Sequence, residues 1–158
     1  MGNAIPLDFS LRALYTADYA QVVNGKFYIN GGGWNRMNST VFPYVVPTLS
    51  VIALLDVPFS KYNADHDYEV GLIDPDGAPY QLKVTGKFRT GAPPDLNYGD
   101  PTLIPLVVTI NNFAFHRPGD YSFTFAVDSE ELGRYPIRLV QIVLPPQFHA
   151  APAAPEPS

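Results

Sequence analysis

Apolar and polar residues alternate along most of this chain with a period of two. Leu7, Phe9, Leu11, Ala13 and Tyr15 share one side of an extended segment, with Asp8, Ser10, Arg12 and Leu14 on the other. A second short run, Lys26 to Asn30, is expected to stop at Gly31-Gly32-Gly33. Leu49 to Val57 and Leu103 to Ile110 are apolar on both sides; for the first this predicts a central strand. His66 to Ile73 pairs with Tyr80 to Phe88, and Tyr121 to Val127 with Ile137 to Val143. Pro and Gly, 17 and 12 in number, punctuate the gaps, and no capped segment with helical periodicity breaks the series. Strands that follow one another without helices predict packed antiparallel sheets.

The middle hairpin can be set in register. Asp74-Pro75-Asp76-Gly77 carries turn chemistry: Pro presets φ, Asp caps the turn and Gly accepts positive φ. A loop from Asp74 to Ala78 puts Leu72 opposite Tyr80, Val70 opposite Leu82 and Tyr68 opposite Val84. The other face then matches Glu69 with Lys83, Asp67 with Thr85 and Asp65 with Lys87.

Arg117-Pro118-Gly119-Asp120 leads into Tyr121, Phe123, Phe125 and Val127 on one face and Ser122, Thr124 and Ala126 on the other. A Pro-Gly corner before a Tyr-led strand is a feature of immunoglobulin-like domains. The expected fold is all-β: an antiparallel immunoglobulin-like β-sandwich of about 7–9 strands. It fills residues 1–144, and a Pro/Ala-rich C-terminal tail over 145–158 is expected to be disordered unless a partner holds it.

Composition narrows the function classes. The 158 residues carry 10 Lys+Arg against 15 Asp+Glu, a net charge of −5, which argues against nucleic acid as a partner. With no cysteine, disulfides, thiolate metal sites and cysteine nucleophiles are excluded. The N-terminal stretch lacks the charged start and apolar run of a signal peptide, and no apolar run is long enough to span a bilayer, so a cytoplasmic protein without membrane insertion is expected.

Candidate chemistry is sparse. Asp65-His66-Asp67 with Glu69 is the densest polar cluster, but a strand puts the three acids on one face and His66 on the other, so cross-strand ion pairs with Lys83 and Lys87 are the simpler expectation. Asp74 to Gly77 lacks the further oxygen ligands of a calcium loop. Gly31-Gly32-Gly33-Trp34-Asn35-Arg36 lacks the lysine and following helix of a phosphate loop. It reads either as a glycine bulge that lets Trp34 close one end of the core, or as an aromatic platform, Trp34 with Asn35 and Arg36, for sugar or peptide stacking. His66, His116 and His149 are scattered, and no nucleophile or metalloprotease motif occurs.

The segment Ala17 to Trp34, with its Asn24-Gly25-Lys26 and Gly31-Gly32-Gly33-Trp34 pieces, resembles the opening of an uncharacterised bacterial domain family. Val57-Pro58-Phe59, Asn63 to His66, Asp74 to Gly77 and Pro118 to Tyr121 are similar to its later pieces. The resemblance covers residues 7 to 143 and implies a bacterial source, with no activity or catalytic residues attached.

The expectation is a non-catalytic protein-binding or self-assembly module without cofactor or metal. The candidate contact residues are Trp34, Asn35, Arg36 and, in the tail, Phe148. A small carbohydrate-binding module built on Trp34 is the alternative, and a hydrolase or metal enzyme around His66 or His116 the second.

Overall fold

The computed structural model describes residues 7–146 apart from Leu96 and Tyr98, together with Pro157. Among them nine strands form two sheets. The strands are β1 (Ser10–Val23), β2 (Lys26–Trp34), β3 (Arg36–Ser39), β4 (Tyr44–Val57), β5 (Asp65–Ile73), β6 (Pro79–Arg89), β7 (Thr102–Phe115), β8 (Gly119–Val127) and β9 (Glu130–Gln141). One sheet has the order β2-β1-β4-β7 and the other β3-β9-β8-β5-β6. Every pairing is antiparallel except β3 with β9.

The sheets pack face to face over one apolar core. Leu49, Val51, Ala53, Leu55 and Val57 of β4 meet Tyr121, Phe123, Phe125 and Val127 of β8, all nearly inaccessible to water. Alternation in β8 is as the sequence predicts. Tyr121 leads the strand, and its hydroxyl donates to the Arg117 carbonyl, 2.7 Å away.

β4 lies between β1 and β7, in the central position predicted, and packing on the other sheet covers one of its apolar faces but not the other. Tyr15, Ile52 and Val107 form a row across the outer face of the four-stranded sheet, and Ile52 is 0% exposed. The β1–β2 hairpin covers them. Pairing of β1 with β4 ends at Ala17 opposite Ser50, after which the Ala20 amide donates to the Ser50 hydroxyl at 3.0 Å. Ala20, Phe27 and Ile29 then lie against Ile52 and Val107 as a second apolar cluster.

The glycine run makes this path available. β2 does not stop at Gly31 but runs on to Trp34, with Gly33 as the extra residue where the register shifts opposite Thr16 and Ala17. Gly33 has φ +87 and Gly31 φ +60, and a Cβ on Gly31 would overlap the Asp18 carboxylate. Glycine is thus needed to turn the strand rather than to end it.

The middle hairpin needs a correction. It closes as predicted, with Ile73 opposite Pro79. Between Gly71 and Ile73 the register then shifts, so that Val70 faces Val84 and Tyr68 faces Gly86, two residues from expectation. A slip of two keeps every side chain on its face. Glu69 still pairs with Lys83, while Asp67 takes Lys87 and Asp65 takes Arg89, each at 3.6 Å. The final strand also differs: β9 starts at Glu130, directly after a two-residue turn, and ends at Gln141. Asp128 and Ser129 both have positive φ there, the geometry of a tight hairpin turn, but Asp-Ser lacks the usual glycine signal.

Candidate functional site

Trp34, Asn35 and Arg36 carry the chain from one sheet to the other. The Trp34 carbonyl accepts from the Thr16 hydroxyl at 2.7 Å and from the Tyr135 hydroxyl at 2.9 Å, which binds the crossing to both layers. The Trp34 ring is half-buried against the main core, and its indole nitrogen is buried without a hydrogen-bond partner. It closes the core and does not stand out as an open stacking platform.

Asn35 and Arg36 behave differently. Both are exposed and line a groove of about 490 Å³ with Asp120, Tyr121, Ser122, Pro136, Ile137 and Arg138. Three adjacent strands bring their charges into one row: Arg36 of β3 faces Arg138 of β9, which faces Asp120 of β8. Arg138 Nε lies 2.7 Å and Nη2 3.4 Å from the Asp120 carboxylate, and this contact raises the guanidinium pKa. Arg36 Nε donates to the Asn38 amide oxygen at 3.2 Å, and among the described residues Arg36 has no carboxylate in salt-bridge range. Sequence reasoning missed Arg138, Asp120 and Ser122. Each stands at an outward position of its own strand, and nothing local links the strands.

His66 is buried on the inner side of β5, away from Asp65, Asp67 and Glu69, as strand alternation predicts. Its Nδ1 lies 2.7 Å from Asp128 Oδ2 and its Nε2 2.7 Å from the Lys61 carbonyl. Phe9 meets the ring edge-on, with centroids 4.9 Å apart, and Phe88 lies tilted against it at 5.4 Å. Both nitrogens are engaged, so no lone pair of this imidazole faces an open cleft. His116 is exposed at the turn before β8, edge-on to Tyr80. Among the described residues, no three His, Asp or Glu side chains come together as a metal site.

A third surface is the outward side of the β1–β2 hairpin. Tyr19, Val23 and Tyr28 are 43%, 41% and 54% exposed there, beside Gln21, Lys26 and Asn30. Among the described residues β2 is an edge strand, with no sheet partner on one side of its backbone. Pro145 and Pro146 are exposed, and Phe148 lies outside the described residues. No helix among the described residues is long and apolar enough to cross a membrane.

The model of DUF6941, a family of unknown function, matches residues 12–140, from within β1 to within β9. The chain belongs to DUF6941. This DUF6941 domain thus takes in the hairpin, the groove and the His66–Asp128 contact. No curated protein matches the chain. Among solved structures it is similar to a β-glucosidase from Listeria innocua in complex with isofagomine. The TM-score is 0.46 and the identity 13%, over 87% of this chain and 17% of that one. It is also similar to the Pseudomonas fluorescens alkylpurine DNA glycosylase AlkC bound to DNA containing an abasic site analog. There the TM-score is 0.41 and the identity 16%, over 83% of this chain and 30% of that one. The chain therefore spans less than a third of either protein.

Proposed function

We propose that this DUF6941 chain is a non-catalytic, immunoglobulin-like protein-binding module that takes up an extended strand of a partner protein along the edge of β2. The tyrosine hydroxyl bonded back to Arg117 and the sheet order support the immunoglobulin-like reading. The binding reading rests on one observation: an edge strand flanked by the exposed Tyr19, Val23 and Tyr28. Main-chain hydrogen bonds along an open edge supply affinity, and side chains on alternate positions supply specificity. Tyrosine suits such a surface, because it offers large contact area at small entropic cost.

A photo-crosslinking phenylalanine analogue in place of Tyr28, in the protein expressed in its own host, tests this. A single discrete protein adduct from position 28, with none from Lys83 on the other sheet, is the expected result. Equal adducts from both positions, or none, would remove the reading.

A further inference from the structure

We infer that the groove between β3, β9 and β8 is a carboxylate-binding site, with Arg36 as its principal contact. It lies on the other sheet from the β2 edge, so it stands or falls independently of the proposed strand-binding role. Like charges directly opposite one another on neighbouring strands destabilise a sheet. Here Arg36 and Arg138 are such a pair, and one carboxylate, Asp120, is shared out to only one of them. The row therefore holds one uncompensated cation in a chain whose net charge is −5.

The geometry selects the ligand class. Arg138 is spent on both oxygens of Asp120, and Arg36 uses Nε on Asn38, which leaves the Nη donors of Arg36 as a free fork. A guanidinium fork matches a planar carboxylate with two parallel hydrogen bonds. The Asp120 carboxylate lies in the same row, so it repels a dianionic phosphate more than a monoanion. Ser122 and Asn35 line the groove with a hydroxyl and an amide, and Pro136 gives it an apolar wall. The fitting occupant is an organic carboxylate, free or on an acidic side chain.

NMR titration of the full chain tests this, with N-acetylglycine, a carboxylate monoanion, and phenyl phosphate as probes and ionic strength held by sodium chloride. N-acetylglycine should give saturating shifts at the Arg36 Nε–H and at the amides of Arg36, Ser122 and Arg138, with phenyl phosphate weaker. Arg36→Lys, which keeps the charge and loses the fork, should weaken binding about tenfold. Lys83→Ala, at a distant surface position, should leave it unchanged. Asp120→Asn should strengthen phenyl phosphate relative to N-acetylglycine. Shifts that never saturate, that saturate with unchanged affinity in Arg36→Lys or that favour phosphate in the unaltered chain would overturn the assignment.

Discussion

His66 and Asp128 stand 62 residues apart in the chain and 2.7 Å apart in the fold. The second ring nitrogen of His66 meets the Lys61 carbonyl, so both ring nitrogens face oxygen acceptors. Asp128 also accepts from the Asp67 amide at 3.0 Å. One buried ring thus joins the segment before β5, the start of β5 and the β8–β9 turn. It fastens one end of the sandwich.

The first prediction concerns acid. Burial raises the Asp128 carboxyl, but hydrogen bonds from His66 and from the Asp67 amide, with the nearby positive charge, outweigh it and hold the pKa below its ordinary 3.8. A carboxyl lowered on folding contributes stability in full above the unfolded pKa and loses it as pH falls through the folded one. Asp128→Asn keeps a residue suited to positive φ and removes the charge. It should cost about 1 kcal/mol at neutral pH, given the exposure of the carboxylate. The gap between variant and parent melting temperatures should narrow once pH drops below 3.8. Calorimetry across the acid range measures it, and a gap independent of pH would contradict the assignment.

The neighbouring residue points the other way. Ser129 has φ +68 at the second position of the two-residue turn, where an L side chain is strained. Ser129→Gly should stabilise the chain by about 1 kcal/mol. That corresponds to a rise of about 2–4 °C in melting temperature for a domain of this size. Thermal unfolding by circular dichroism is sufficient to see it.

Within β6, Gly86 faces Tyr68 across the pair with β5, and a Cβ on Gly86 would overlap the phenol ring. That ring stacks on Phe125 with centroids 6.1 Å apart. Gly86→Ala should therefore destabilise by about 1–3 kcal/mol, although alanine is the better strand former on entropy alone. Chemical denaturation, with near-ultraviolet circular dichroism to follow the displaced aromatic ring, distinguishes the two effects.

These sites also show what one-dimensional pattern carries. Inward Tyr121, Phe123 and Phe125 were legible because alternation is local and period two leaves no choice of face. The shift between Gly71 and Ile73 was not, because extra residues in one strand move the register without disturbing alternation. Asn35 and Arg36 were legible only as neighbours of Trp34 on a candidate stacking platform. Their groove was not: Asp120, Ser122 and Arg138 reach it through strand order, which local sequence does not encode. His66 was placed on the correct face, but its partner Asp128 lies in a turn written without glycine.

The apolar outer face of β4 leads to the last prediction. Ile52 is buried only because the hairpin lies over it, and one side-chain hydrogen bond ties that hairpin down at the point where β1 leaves the sheet. Ser50 is 0% exposed, accepts from the Ala20 amide at 3.0 Å and lies 2.9 Å from the Thr109 hydroxyl. Ser50→Ala leaves a buried amide without its acceptor, at a cost of about 1–3 kcal/mol. The cost falls on the hairpin rather than on the sandwich, because the core contacts of β4 and β8 are untouched. Amide exchange in β1 beyond Ala17 and in β2 should accelerate, while β8 amides keep their protection. If all strands lost protection together, the hairpin would be part of the global folding unit. If none did, Ser50 would not be what holds it.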